Sequence, residues 1–357
     1  MTPADGATNM LLNCADARIG ERLLIAYESA EHGYYGADAV PCVVAAADAL
    51  GLDVMTMDVG FSPHSPQLTP ELLEGIGRSD IVVFLARLGD QLRFAEMPAG
   101  KRVVVSFALD GDHFGSAFAT THHKAMVALK TQVTAALEQA RDVRVTCALG
   151  SDFAGMPNMG SGAGGDTSVR RFPMSVFQPV PAHGFSGKVA LCGFLTGTGS
   201  LYYDNYTLEF DGPVLAVMRN GQLVGFEGGA SDVAAANAHY DRVSSMFGIA
   251  RNHVHSWHAG IHPGCGYLQN ARDNFERWGG ASFGNPRILH LHTCGTYAPG
   301  EISWNMLDPT IEIDGVPVWE GGAFHPERVP GGQAVLDRFR CAASVFSRPE
   351  RRIGFCN

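Results

Sequence analysis

Six of the chain's 14 histidines fall between positions 253 and 292: His253, His255, His258, His262, His290 and His292. Imidazole ligates divalent transition metals and moves protons near neutral pH, so such a cluster can build a metal centre, an acid–base site, or both. In Leu289-His290-Leu291-His292-Thr293 the two histidines stand two apart. Strand side chains alternate with period two, which puts both on one face. Glu301 follows nine residues after His292, and upstream runs the glycine-containing segment Trp257-His258-Ala259-Gly260-Ile261-His262-Pro263-Gly264. Two imidazoles and a carboxylate on rigid elements, with positions left open, suit a catalytic metal. His253 and His255 read as ordinary strand positions, and His122, His123 and His325 as solvated ones.

The elements that must position these residues divide the chain. In the first part strand-like and helix-like segments alternate: Leu23–Tyr27, a helix over Ala39–Leu50 closed by Gly51, Asp53–Met57, a Thr69-capped helix with Pro70 at its first position, Asp80–Leu85, Arg102–Ser106, a long helix over Thr121–Arg141, and Val143–Thr146. Strands separated by helices predict a parallel sheet covered on both faces. No GxGxxG follows the first strand and no GxxxxGK[ST] occurs, so this part reads as a Rossmann-like scaffold without a nucleotide fingerprint. The Gly-rich run Gly160–Gly165 and the prolines 173, 179 and 181 read as a crossing or an active-site flap.

From Lys188 onward the pattern is mainly strand, with an Asn220-Gly221 hairpin turn, helices over Ser231–Phe247 and Asn270–Trp278, a strand over Arg287–Thr293, and a second hairpin at Asp314-Gly315. The expected fold class is α/β: a Rossmann-like N-terminal domain (1–150), a Gly/Pro-rich crossing (151–187), and an α+β C-terminal domain (188–357) that owns the histidines.

Composition narrows the function classes. The 357 residues are 46% hydrophobic and 17% charged, which argues for a folded chain with material for two cores. The formal net charge is -10, and no basic run is longer than Arg170-Arg171 or Arg351-Arg352, so nucleic acid is excluded as an expected partner. No apolar run reaches membrane-spanning length and the first residues carry no secretion signal, so a cytoplasmic location is expected. Eight cysteines are scattered singly, which fits reduced thiols rather than a disulfide framework or a structural zinc.

The order of motifs resembles a known family. Gly150-Ser151-Asp152-Phe153, the Asn220-Gly221 hairpin followed by Gly225-Phe226-Glu227-Gly228-Gly229, Trp257-His258-Ala259-Gly260, Phe283-Gly284-Asn285 and Ile311-Glu312-Ile313-Asp314-Gly315 are together similar to the 2,5-dihydroxypyridine 5,6-dioxygenases. That family belongs to the superfamily of the thermophilic leucyl aminopeptidases (aminopeptidase T). The likeness spans roughly residues 20 to 330. It implies a metal-bearing C-terminal domain, a homo-oligomer, and His258 as a ligand. The family's HxD pair before the last hairpin falls here on Glu301 and Ser303, so that pair is not retained. The aminopeptidases take a further histidine from the region of His290 and His292.

These lines combine into one expected site. His258, His292 and Glu301 would hold one metal, with His290 an alternative to His292 and Asp308 an alternative to Glu301. Fe(II) leads, with Zn(II), Mn(II) or Co(II) compatible. His290 and His183 are the expected proton carriers, and His262, Trp257, Tyr297 and Trp304 the expected substrate contacts. The expected reaction is ring-cleaving dioxygenation of a small hydroxylated or N-heteroaromatic compound with O2. The alternatives are a metallohydrolase acting on an amide or ring, with Glu301 as general base, and a metal-free binding protein.

Overall fold

The computed structural model describes residues 1–63, 68–160, 167–197 and 201–355. The strands in chain order are β1 (Arg22–Tyr27), β2 (Asp53–Asp58), β3 (Ile81–Leu85), β4 (Arg102–Ser106), β5 (Val143–Thr146), β6 (Asp152–Gly155), β7 (Arg170–Phe172), β8 (Val180–Pro181), β9 (Phe185–Ala190) and β10 (Phe194–Thr196). They continue with β11 (Leu208–Glu209), β12 (Val214–Arg219), β13 (Gln222–Gly228), β14 (Val254–Ala259), β15 (Ile288–Cys294), β16 (Glu301–Leu307), β17 (Thr310–Ile313), β18 (Val316–Glu320) and β19 (Ala323–Phe324).

Two compact units share this chain. The first is Met1–Val127, Asp166–Ser175 and Phe339–Pro349; the second is Ala128–Gly165, Val176–Arg338 and Glu350–Asn357. The expected boundary at 150 and the crossing 151–187 do not coincide with these units. Of the Gly160–Gly165 run, residues 161–165 lie outside the described residues.

In the first unit the sheet order is β2-β1-β3-β4-β7 and every pairing is parallel. All five residues of β3 are fully buried, as a parallel strand covered on both faces requires. The helices Ala39–Ala49 and Pro70–Arg78 make the crossovers. Gly51 follows the first of them at φ +71°, a left-handed position that ends it without a Cβ clash. Thr69 Oγ1 accepts a hydrogen bond from the Leu72 N–H at 3.2 Å and starts the second.

Val143–Thr146 is not in this sheet, contrary to the sequence expectation. The short strand Arg170–Phe172 takes the place beside β4. Val143 and Val145 are buried while Arg144 is exposed, the alternation of an antiparallel strand with one wet face. Accordingly β5 pairs antiparallel with β6 and β17.

Just past the carboxyl ends of β1 and β3 sit Glu28 and Arg87. Arg87 Nε lies 3.0 and 3.1 Å from the two carboxylate oxygens, and its backbone N–H donates to Oε2 at 3.0 Å. The Phe61 ring covers the guanidinium at 3.4 Å. Strand order reverses at this place, the position where doubly wound sheets commonly take a ligand. Here a side-chain ion pair of the chain itself stands there.

His123 is buried, not solvated, at 5% exposure. Its ring sits 5.8 Å from Phe172, and burial pushes its pKa from 6.5 down to about 4. In the second unit burial lowers His239 likewise to about 4. Both stay neutral in the folded chain and gain a proton on unfolding below pH 6.5, so the unfolded state binds more protons between those values. Stability is therefore complete above pH 6.5 and falls toward pH 4, by at most about 3 kcal/mol per histidine. Urea unfolding of wild type and His123→Leu across this window checks it. The variant should show a shallower decline, and an equal slope would remove His123 from the account.

The second unit has an eight-stranded sheet, order β13-β12-β9-β6-β5-β17-β18-β19, and a six-stranded sheet, order β11-β10-β16-β15-β14-β8. All of the ladders are antiparallel. Both expected hairpin turns are present, with Asn220 and Gly221 at φ 48° and 69° and Asp314 and Gly315 at 49° and 78°. Two consecutive left-handed residues match the strand twist. Trp257 fills the core of this unit, meeting the rings of Phe153, Phe177 and Phe185 at 5.6 to 6.0 Å. Among the described residues, no helix is long and apolar enough to cross a membrane.

Candidate metal centre

Strands β14, β15 and β16 lie side by side in the six-stranded sheet. Their register sets His258 opposite His290, Ser256 opposite His292, Asn305 opposite His290, Ser303 opposite His292, and Glu301 opposite Cys294. Alternation then sorts the three strands into two faces. One carries Trp257, Leu289, Leu291, Ile302, Trp304 and Met306, all fully buried. The other carries His258, His290, His292, Glu301, Ser303 and Asn305, and of these only His292 is more than 5% exposed. So many buried polar groups on one face must find partners or a ligand, because burying them unpaired is costly.

The three imidazoles converge through their Nε2 atoms. His258 Nε2 is 2.6 Å from His290 Nε2 and 3.1 Å from His292 Nε2, and the three rings' donor atoms all lie within 4.8 Å of one another. The Nδ1 atoms of two rings are held from behind. His258 Nδ1 is 3.1 Å from the Phe177 carbonyl oxygen, and His292 Nδ1 is 2.5 Å from Glu301 Oε1. A carbonyl and a carboxylate only accept, so each of these Nδ1 atoms is the one that carries hydrogen, and the Nε2 lone pairs of His258 and His292 face each other. Two lone pairs at 3.1 Å repel unless a cation lies between them. A divalent ion with N-ligands at 2.0–2.1 Å sets neighbouring nitrogens about 3.0–3.4 Å apart; the His258–His292 pair at 3.1 Å matches that spacing, and the His258–His290 pair at 2.6 Å would open by about half an ångström to admit the ion.

Glu301 occupies a different place from the one expected. Its carboxylate is buried on the Nδ1 side of His292, away from the Nε2 cluster. In this arrangement it orients an imidazole instead of completing the donor set, and the third convergent donor is His290. The reason is register: β16 places Glu301 opposite Cys294, two residues along the ladder from the His292–Ser303 pair. Carboxylate–histidine contacts of this kind fix ring orientation and raise the basicity of the ligating nitrogen.

The remaining expected residues fall elsewhere. Trp257 and Trp304 are on the core face, and Trp304 Nε1 donates to the Tyr240 hydroxyl at 2.5 Å, so neither reaches the histidine face. His262 is fully buried, but its Nδ1 accepts from the Gly264 N–H at 3.1 Å and thus shapes its own loop. Tyr297 is exposed beyond the end of β15, and His183 is exposed in the Ala182–Gly184 turn; neither is brought to the cluster. Asp308, the alternative carboxylate, is engaged by Arg287 at 2.6 and 2.8 Å. The His253 and His255 rings meet at 3.9 Å with a 52° tilt, and His255 Nε2 donates to the Cys294 carbonyl at 2.9 Å. Phe283, not anticipated, stacks on His290 at 4.3 Å and 26°. Asn305 joins Ser303 on the histidine face, as the alternation of polar and apolar residues in Glu301-Ile302-Ser303-Trp304-Asn305 requires.

No family model and no curated protein matches the chain. Among solved structures, wild-type AmpT from Thermus thermophilus aligns with a TM-score of 0.49 and 10% identity over 90% of this chain and 98% of that one. The 2,5-dihydroxypyridine dioxygenase of Pseudomonas putida KT2440 aligns with a TM-score of 0.56 and 14% identity over 90% of this chain and 96% of that one. The chain thus has the fold of that dioxygenase structure, the placement that the order of its motifs implied.

Proposed function

We propose that the chain is a mononuclear metal-dependent enzyme in which His258, His290 and His292 hold one divalent transition-metal ion. The observation that carries this reading is the convergence of three Nε2 atoms with two of the rings pinned at Nδ1. The substrate is proposed to be a small hydroxylated or nitrogen-containing ring, with O2 as co-substrate. The fold shared with a 2,5-dihydroxypyridine dioxygenase supports that choice. When bound, the ion supplies a Lewis-acidic centre with open positions for a substrate oxygen and for O2, and Fe(II) is the choice that serves both.

The chain's own residues do the rest. The Phe177 carbonyl and Glu301 keep the His258 and His292 lone pairs aimed inward. Phe283, flat against His290, and Phe177, edge-on to His258 at 6.3 Å, put apolar surface beside two of the donor rings. Glu301 Oε1 accepts the hydrogen of His292 Nδ1, on the side of that ring away from its Nε2.

One observation favours a hydrolase of another design. Three neutral imidazoles leave the ion's whole charge to act on water, the ligand set that lowers the water's pKa toward neutrality in zinc enzymes. The two readings separate in one experiment. Protein reconstituted anaerobically with Fe(II) should consume O2 when 2,5-dihydroxypyridine or catechol is added, and the Zn(II) form should not. Turnover of an amide or ring substrate under nitrogen by the Zn(II) form would replace the dioxygenase with the hydrolase.

A further inference from the structure

His258 and His292 each have an acceptor behind Nδ1, and a metal centre needs the same of His290 if its Nε2 is to offer a lone pair. The register puts Asn305 directly opposite His290 on the same face of the sheet. Asn305 is fully buried. Its Oδ1 accepts from the Ser303 hydroxyl at 3.2 Å, and its Nδ2 has no hydrogen-bond partner among the described residues. Side chains facing each other across an antiparallel pair have Cβ atoms about 4.5–5.5 Å apart, so a rotated amide can reach the near side of the imidazole.

We propose that Asn305 is the positioning residue of His290, and that its amide, backed by Ser303, selects which nitrogen of that ring carries the hydrogen. This rests on the reading of the cluster as a metal centre. The two ends of an amide exchange by a half-turn of the side chain. A serine hydroxyl both donates and accepts, so Ser303 can serve either end. With Oδ1 turned to His290, the ring keeps its hydrogen on Nδ1 and presents a lone pair at Nε2, as a metal ligand must. With Nδ2 turned to it, the ring carries hydrogen on Nε2 and donates it to His258 Nε2 across the 2.6 Å gap. One residue thereby provides for the loaded and the metal-free centre, and the buried Nδ2 acquires a use.

The test is Co(II) binding to the full chain, read as affinity in competition with a chromophoric chelator and as the ligand-field absorption band. Asn305→Leu keeps the shape and removes the acceptor; it should lower affinity about 10- to 100-fold and shift the band. Asn305→Asp keeps an acceptor oxygen and should restore most of the affinity. A residue that merely packs predicts the reverse order, with leucine tolerated and a buried aspartate the worse variant, and that order overturns the proposal. If Asn305→Leu does not fold, Asn305→Ala carries the same expectation. Wild-type protein that takes up no Co(II) overturns the metal centre together with this role. Wild-type uptake with an unchanged Asn305→Leu overturns the role alone.

Discussion

Replacing His258 with alanine should leave the protein folded and empty of metal. His258 is the hub of the cluster: its Nε2 is the atom within 2.6 Å of His290 and 3.1 Å of His292. Structural zinc sites of four ligands yield about 10–16 kcal/mol, so one donor is worth about 3 kcal/mol, on the order of 10²- to 10³-fold in affinity. Elemental analysis of anaerobically purified protein should find wild type loaded and His258→Ala, His290→Ala and His292→Ala empty. Glu301→Gln should show the intermediate result of a residue acting through His292, a loss of about 10- to 100-fold. His253→Ala, at a residue whose ring meets His255 and not the cluster, should remain loaded. Equal metal content in wild type and His258→Ala would dismiss the centre.

The second large effect is expected in the first unit. Arg87→Leu takes the guanidinium away from the Glu28 carboxylate, whose side chain has no exposure. Removing one partner of a buried pair costs about 3–5 kcal/mol, because the remaining charge has lost its compensation. For a domain of this size that corresponds to a fall in Tm of roughly 6–20 °C. The double variant Glu28→Leu/Arg87→Leu should recover much of the loss, since two apolar groups need no pairing. Thermal unfolding followed by circular dichroism reads both. A single variant within about 1 kcal/mol of wild type would show that water reaches the pair.

These two sites differ in how plainly the amino-acid order announced them. The spacing of His290 and His292 determined their shared face, because alternation in a strand is local. The same rule separates His258 from Trp257 and Ser303 from Trp304, which is why the tryptophans belong to the core and not to the substrate. What stayed hidden was set by register. Only the pairing of β15 with β16 decides that Glu301 stands behind His292 and not beside it, and that Asn305 faces His290. Sheet membership was hidden for a similar reason. Arg170–Phe172 is too short to show a period, yet it closes the parallel sheet, while Val143–Thr146 joins a sheet whose other strands come from 152 to 324. The Glu28–Arg87 pair left no motif at all, because its partners are 59 positions apart.

The donor atoms sit on neighbouring strands joined by backbone ladders, with an apolar face beneath. Folding of this unit is therefore expected without the proposed ion, unlike that of a zinc finger, whose chain collapses only around its metal. A chelator should strip the centre and leave a vessel of unchanged shape, ready to be refilled. On the proposed reading, which ion fills the centre is then a question of availability, and one polypeptide is expected to accept different metals without being made anew.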